Sequence, residues 1–159
     1  MKLKLFAIIA LALASSLSLG AAEKLTTGTI NIVSTTPLPS IGLPLNIIPA
    51  NIQIFDSKDL RNQPGVTFAD QLMNNAQGVT FNEIQGNPWQ PDVSFRGFSA
   101  SPLAGTPQGM SVFVDGVRVN EPFGDTVHWD LVPNFAIQGM QVVPGSNPVY
   151  GLNTLGGAL

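Results

Sequence analysis

Closely spaced prolines and glycines exclude a long regular element from residues 23–49. Four prolines and two glycines interrupt this stretch: Pro37, Pro39, Pro44, Pro49, Gly28 and Gly42. Because proline fixes φ and has no N–H to donate, a helix or strand cannot run through this spacing. Residues 23–49 are therefore predicted to be a flexible segment, and compact structure is expected from about residue 50.

Residues 29–33 differ from the rest of this segment because they favour an extended backbone. They read Thr-Ile-Asn-Ile-Val, which alternates in polarity and is rich in β-branched side chains. A lone strand near a terminus can pair with the sheet edge of another protein. It can equally pair within its own domain, and the residues alone leave both pairings open.

The first 22 residues have the three parts of a secretory signal. Lys2 and Lys4 provide a basic start, residues 5–14 are uninterruptedly apolar, and Gly20, Ala21 and Ala22 are small residues that suit signal cleavage. The apolar run is about half of the ~20 residues that a membrane-spanning helix needs. Cleavage is therefore expected after Ala22, with export of the remaining chain from the cytoplasm.

From Asn51 onward the sequence predicts an α+β fold with short strands. Thr67 and Asp70 match a helix capping box, and Gly78 suits a helix stop. The helix would bury one apolar face, made of Phe68, Ala69, Leu72, Met73 and Ala76. Strands are predicted over residues 52–55, 79–82, 92–96, 111–114, 117–119 and 138–143, with a tight hairpin at Asp115-Gly116.

Three loops of roughly ten residues separate these elements, which is long for so small a domain and typical of functional loops. They cover residues 83–91, 98–109 and 120–129, and they hold most of the aromatic side chains outside the predicted helix and strands. Those rings either contact a ligand or pack the loops against the domain, since aromatic residues most often contribute buried area.

Composition excludes several kinds of chemistry. The chain has no Cys and one His, so no disulfide, thiolate or multi-histidine metal site is expected. Its seven Lys and Arg residues form no cluster, which excludes a nucleic-acid footprint. His128 lies near Asp125 and Asp130 in sequence, but a lone loop histidine is usually a hydrogen-bonding or packing residue. We expect no enzyme, no cofactor and no metal.

A series of short motifs follows the predicted signal in a fixed order. Arg96-Gly97-Phe98 and Val114-Asp115-Gly116-Val117 come first, and then Tyr150-Gly151 and Gly156-Gly157. In this order the chain from Thr29 to Leu159 resembles the plug domain of TonB-dependent outer-membrane receptors. Arg96-Gly97 would form a sharp turn, Asp115-Gly116 would close a hairpin, and Gly156-Gly157 would be a tight passage.

The resemblance implies a plug over residues 50–159 that gates energy-coupled uptake through a β-barrel in the outer membrane. The ligand would be scarce: a siderophore, cobalamin, a metal chelate or a saccharide. A segment called the TonB box, here Thr29, Ile30, Asn31, Ile32 and Val33, would add a strand to the C-terminal domain of TonB in the periplasm. The small-molecule ligand would contact the long loops, with these candidates: Gln85, Trp89, Gln90, Gln108, Phe123, Asp125, His128 and Trp129.

The chain also departs from the family's pattern. Residues 140–145 lack the acidic residue and Arg that usually pair with the barrel wall, and Gly28 replaces the acid that commonly leads the TonB box. The barrel itself is missing, so we expect the N-terminal part of a longer receptor or a truncated product. The alternatives are a stand-alone periplasmic binding or interaction domain of plug fold, and a secreted enzyme with a site around His128.

Overall fold

A computed structural model describes residues 32–33 and 42–159 of the chain. The predicted signal peptide and the first part of the predicted TonB box, Thr29 to Asn31, lie outside the described residues. Within them the expected α+β architecture is confirmed: short strands in mixed sheets, two helices and long loops.

The helices are α1 (Ser57–Asn62) and α2 (Phe68–Asn75). The strands, in chain order, are β1 (Ile32–Val33), β2 (Leu43–Pro44), β3 (Gln53–Asp56), β4 (Val79–Asn82), β5 (Asp92–Phe95), β6 (Phe98–Ala100), β7 (Met110–Ser111), β8 (Phe113–Val114), β9 (Val117–Arg118), β10 (Gly139–Pro144) and β11 (Gly157–Ala158). Single 3₁₀ turns cover Leu45–Ile47, Trp129–Leu131, Asn134–Ala136 and Pro148–Tyr150.

The strands form small sheets around one core. Strands β3, β10, β11 and β7 make a four-stranded sheet in that order, antiparallel except for the parallel pair β11 and β7. Strands β4, β5 and β6 form an antiparallel meander, and β8 pairs with β9. The core contains apolar side chains from the sheets, from α2, from the link between β7 and β8, and from residues 127–129: Leu72, Val93, Phe95, Met110, Val112, Val127, Trp129 and Val142.

The predicted capping box at the start of α2 is confirmed. The Asp70 backbone N–H donates to Thr67 Oγ1 at 3.1 Å, and the Thr67 N–H donates to Asp70 Oδ2 at 3.0 Å. Two details of the prediction are wrong. The helix ends at Asn75, with Ala76 extended, and Met73 is exposed. Gln71 is buried on the inner face instead, because its side-chain amide donates to the Leu60 carbonyl.

Helix α1 was not predicted, although it also begins with a capping box. Asp56 Oδ1 accepts from the backbone N–H groups of Asp59 and Lys58 at 2.9 and 2.7 Å, and the Asp56 N–H donates to Asp59 Oδ2. These hydrogen bonds lower the pKa of Asp56, the one from Asp59 most strongly. Because the pKa of Asp56 is lower in the folded chain, the cap contributes its full stability at pH values above the unfolded-state pKa. That contribution is lost as the pH falls through the folded-state pKa.

Thr67→Ala should lower the free energy of unfolding by about 1 kcal/mol, because it removes the oxygen that accepts from the Asp70 N–H. Urea unfolding would measure the loss. Thr67→Ser is the matched control, since it keeps the hydroxyl and should recover most of the stability. Equal losses in the two variants would contradict a capping role for the hydroxyl.

Both motif turns are two-residue hairpin turns with a left-handed backbone. Arg96 and Gly97 have φ of 52° and 88° between β5 and β6, and Asp115 and Gly116 have 50° and 79° between β8 and β9. Positive φ at both positions is the geometry that matches the twist of a β-hairpin. The hairpin predicted at Asp115-Gly116 is confirmed, as is the sharp turn at Arg96, whose guanidinium lies 5.2 Å from the centroid of the Phe95 ring.

Strand β1 comprises the last two residues of the predicted TonB box. It pairs antiparallel with β2, Ile32 opposite Pro44 and Val33 opposite Leu43. Of the two pairings that the sequence left open, the structure therefore shows the internal one. Regular structure also begins before the predicted boundary at residue 50, with β2 and the 3₁₀ turn that follows it.

Candidate functional site

Hydrogen bonds bring the three long loops close to one another. The Val127 N–H in the third loop donates to the Ser101 carbonyl in the second at 3.0 Å. Gln90 Nε2, in the first loop, donates at 2.9 Å to Asp130 Oδ1, just after the third. The second loop is shorter than predicted, because Phe98–Ala100 forms β6. Hydrogen bonds therefore link the second loop to the third, and the first loop to the residue that follows the third.

The first loop presents its candidates to solvent. Trp89 is 52% exposed and Gln85 is also exposed, whereas Gln90 is half-buried and bonded to Asp130. Ile84, which the sequence did not single out, is 59% exposed beside Gln85. The loop thus offers an indole face and an aliphatic side chain for apolar contact.

Gln108 in the second loop is buried and fully used within that loop. Its Oε1 accepts from the Ser101 N–H at 2.7 Å, and its Nε2 donates to the Ser101 carbonyl at 3.1 Å. Because both polar atoms of its side-chain amide are hydrogen-bonded to the Ser101 backbone, Gln108 holds the two ends of the loop together. In this structure Gln108 has no free amide group for a ligand.

The third loop divides into an exposed tip and bonded flanks. Phe123 at the tip is 85% exposed, next to Gly124, whose φ is 77°. His128 Nε2 lies 3.1 Å from Glu121 Oε1, and Asp125 pairs with Arg118 at 2.8 Å. The sequence analysis did not single out either partner. Glu121 is the partner of His128, and Arg118 is the partner of Asp125.

Trp129 is a core residue in this structure. It is 2% exposed, its ring stacks on Phe68 at a centroid distance of 5.9 Å, and its Nε1–H donates to the Ala100 carbonyl at 3.1 Å. The indole thus has its polar group satisfied and its faces covered. It presents no surface to a ligand.

The remaining exposed candidates suit stacking and hydrogen bonding rather than acid–base or metal chemistry. No cluster of three or more His, Asp or Glu side chains able to hold a metal ion occurs in the part of the chain that the structure describes. A cleft of about 630 Å³ lies elsewhere, between the β8–β9 hairpin and residues 132–143, and none of the loop candidates lines it. The loop candidates that are exposed to solvent are therefore Gln85, Trp89 and Phe123.

None of the helices within residues 42–159 is long and apolar enough to cross a membrane. Among the predicted coupling residues, only Ile32 and Val33 are described, both in β1. The motif glycines Gly156 and Gly157 are buried at the start of β11.

Comparison with known proteins identifies the family. The family model described as the TonB-dependent receptor plug domain matches residues 44–158. No curated protein matches. A similar solved structure is the ferric yersiniabactin uptake receptor FyuA from Yersinia pestis, with 21% identity and a TM-score of 0.49. The alignment covers 69% of this chain and 16% of that receptor.

The family match spans well over half of the chain, so the chain belongs to the TonB-dependent receptor plug domain family. This is a receptor family and not an enzyme family. The chain spans about a sixth of the length of the FyuA structure.

Proposed function

We propose that this chain is the plug of a TonB-dependent outer-membrane receptor and gates the energy-coupled uptake of a scarce ligand through a surrounding β-barrel. The observation that carries the proposal is the plug-domain match over residues 44–158, which follows the strand Ile32–Val33 in the chain. In this function the three loops face the ligand. The segment before residue 44 couples the plug to TonB.

Coupling would work by exchange of a strand. In the described part of this pairing, Ile32 lies opposite Pro44, which has no N–H to donate. A ladder that lacks this donor costs less to separate than a complete one. An edge strand of the TonB C-terminal domain would offer a longer series of main-chain hydrogen bonds to residues 29–33.

The ligand side is supported by what the loops leave exposed. Trp89 and Phe123 offer aromatic faces at 52% and 85% exposure, and Gln85 adds an amide beside Ile84. Planar and sugar-like ligands stack on such faces. Siderophores, cobalamin, metal chelates and saccharides are the classes to test, and the barrel would contribute the rest of the specificity.

The coupling step predicts that a peptide of residues 23–40 binds the TonB C-terminal domain. Titration into isotope-labelled TonB domain, followed by NMR, should shift the backbone amides of one edge strand. Ile32→Pro in the peptide should weaken binding about fivefold, since one lost main-chain hydrogen bond is worth about 1 kcal/mol.

Ile32→Val is the matched control, because it keeps the N–H and the β-branched side chain and should bind like the original peptide. An absence of amide shifts for the unmodified peptide would overturn the coupling role. Binding that is unaffected by Ile32→Pro would move the contact to another part of residues 23–40.

A further inference from the structure

The guanidinium of Arg118 lies among three separate parts of the chain. Arg118 is on β9, and its Nη2 donates to Asp125 Oδ1 at 2.8 Å and to the Leu152 carbonyl at 2.9 Å. Its Nε donates to Asn120 Oδ1 at 3.4 Å. One cation thus joins the hairpin, the loop at residues 120–129 and the turn at residues 151–154.

Asp125 uses both of its carboxylate oxygens in this arrangement. Oδ1 accepts from Arg118, and Oδ2 accepts from Asn153 Nδ2 at 2.9 Å. Only 21% of the Asp125 side chain is exposed. A carboxylate that is already paired with a guanidinium and an amide has little capacity to bind a ligand.

The backbone on both sides of this contact is in a conformation that non-glycine residues rarely adopt. Asp125 has φ of 56° and Asn153 has 63°. Left-handed backbone persists in non-glycine residues where the surroundings hold it in place. At Gly151 a Cβ would lie 3.0 Å from Arg118 Nη1, so the absence of a side chain there leaves room for the guanidinium.

Both the loop and the turn are anchored to strands of the core. Asn120 is buried, with Oδ1 accepting from the Val112 N–H at 2.7 Å and Nδ2 donating to the Met110 carbonyl at 3.0 Å. Thr154 is buried too, and its hydroxyl is hydrogen-bonded to that of Ser111. A link between loop and turn therefore connects the exposed tip of the loop to β7 by two routes.

We propose that Arg118 is a positioning residue that, with Asp125 and Asn153, forms a latch holding the loop at residues 120–129 against the turn at residues 151–154. The latch fixes the direction of the exposed Phe123, two residues before Asp125. Its consequence for uptake, that Asp125 orients the loop and does not touch the ligand, rests on the proposed function. The latch itself does not.

Because the chain contains no Cys, two engineered cysteines can be labelled without background. Phe123→Cys and Leu152→Cys, at positions 85% and 88% exposed, place nitroxide labels on the loop tip and on the turn. Electron paramagnetic resonance then gives the distance distribution between the labels in the full chain. We expect one narrow distribution in this background and at least a doubling of its width after Arg118→Gln.

The matched control is Arg96→Gln, which removes an exposed arginine from another hairpin turn and should leave the distribution unchanged. Asn153→Ala tests the latch from the exposed side of the turn and should also broaden the distribution. Circular dichroism at the same temperature identifies the variants that are folded. A latch that serves only global stability would lower the unfolding midpoint without changing the distance distribution of the folded chain.

An unchanged distribution in folded Arg118→Gln and Asn153→Ala chains would overturn the proposal. If Arg118→Gln does not fold, the result for Asn153→Ala decides the matter alone. The measurement uses neither TonB nor a ligand, so a failed peptide titration leaves it intact, and a failed latch leaves the coupling proposal intact.

Discussion

Gly157→Ala is expected to lower the free energy of unfolding by about 3–5 kcal/mol. An added Cβ would lie 2.2 Å from the Val143 carbonyl oxygen, which is backbone and cannot rotate away. The φ of Gly157 is 145°, which an L side chain disfavours. Backbone strain and overpacking each cost about 1–3 kcal/mol, and here they act together in a strand paired on both sides.

Gly145→Ala is the matched control, because it isolates the backbone part of this cost. Gly145 has φ of 95° with open space around its Cβ position, and its N–H donates to the Gly156 carbonyl at 2.9 Å. We expect a loss of about 1 kcal/mol there. Urea unfolding of both variants measures the difference in their free energies of unfolding. Similar losses would mean that β11 shifts to make room for the added methyl group.

The features predicted correctly are those that depend on neighbours in sequence. The capping box of Thr67 and Asp70 and the turn at Asp115-Gly116 are each complete within four residues, so the sequence contains the whole interaction. The passage at Gly156-Gly157 could be located from its glycines. The reason why only glycine fits there could not be predicted, since the groups that crowd the two positions are Phe98 and Val143, in other elements of the chain.

The features that sequence analysis missed depend on distant partners. Strands β7 and β11 have two residues each, and they pair with one another although they lie nearly fifty residues apart in sequence. Strand β11 also pairs with β10 on its other side. Gln71 replaces Met73 on the buried face of α2, because the Leu60 carbonyl in α1 accepts its hydrogen bond. Periodicity ranks a glutamine as exposed and contains no information about that carbonyl.

In the candidate site, too, the sequence predicted local features and missed contacts between distant residues. Loop length and composition identified the three loops, and these do lie together. Composition could not separate side chains that face solvent, such as Trp89 and Phe123, from Gln108, which closes its own loop. Nor could it reveal Arg118 as the partner of Asp125, because a hairpin strand and a loop meet there only in the folded chain.

Trp129→Ala is expected to lower the free energy of unfolding by about 3–5 kcal/mol, the usual cost of emptying a buried aromatic site. The indole is 2% exposed and stacks on Phe68 at 5.9 Å. Its removal also leaves the Ala100 carbonyl without the donor that now lies at 3.1 Å. Trp129→Phe keeps a ring in the site but not the N–H, so its loss should be intermediate.

Trp89→Ala is the control, as it removes the same side chain from an exposed site and should change stability by about 0.5 kcal/mol or less. Urea unfolding followed by circular dichroism compares the variants without relying on tryptophan fluorescence. Trp89 belongs to the first loop and Trp129 ends the third, so the contrast separates an exposed ring from one that packs in the core. A small loss for Trp129→Ala would return Trp129 to the ligand candidates and remove the packing role assigned to it.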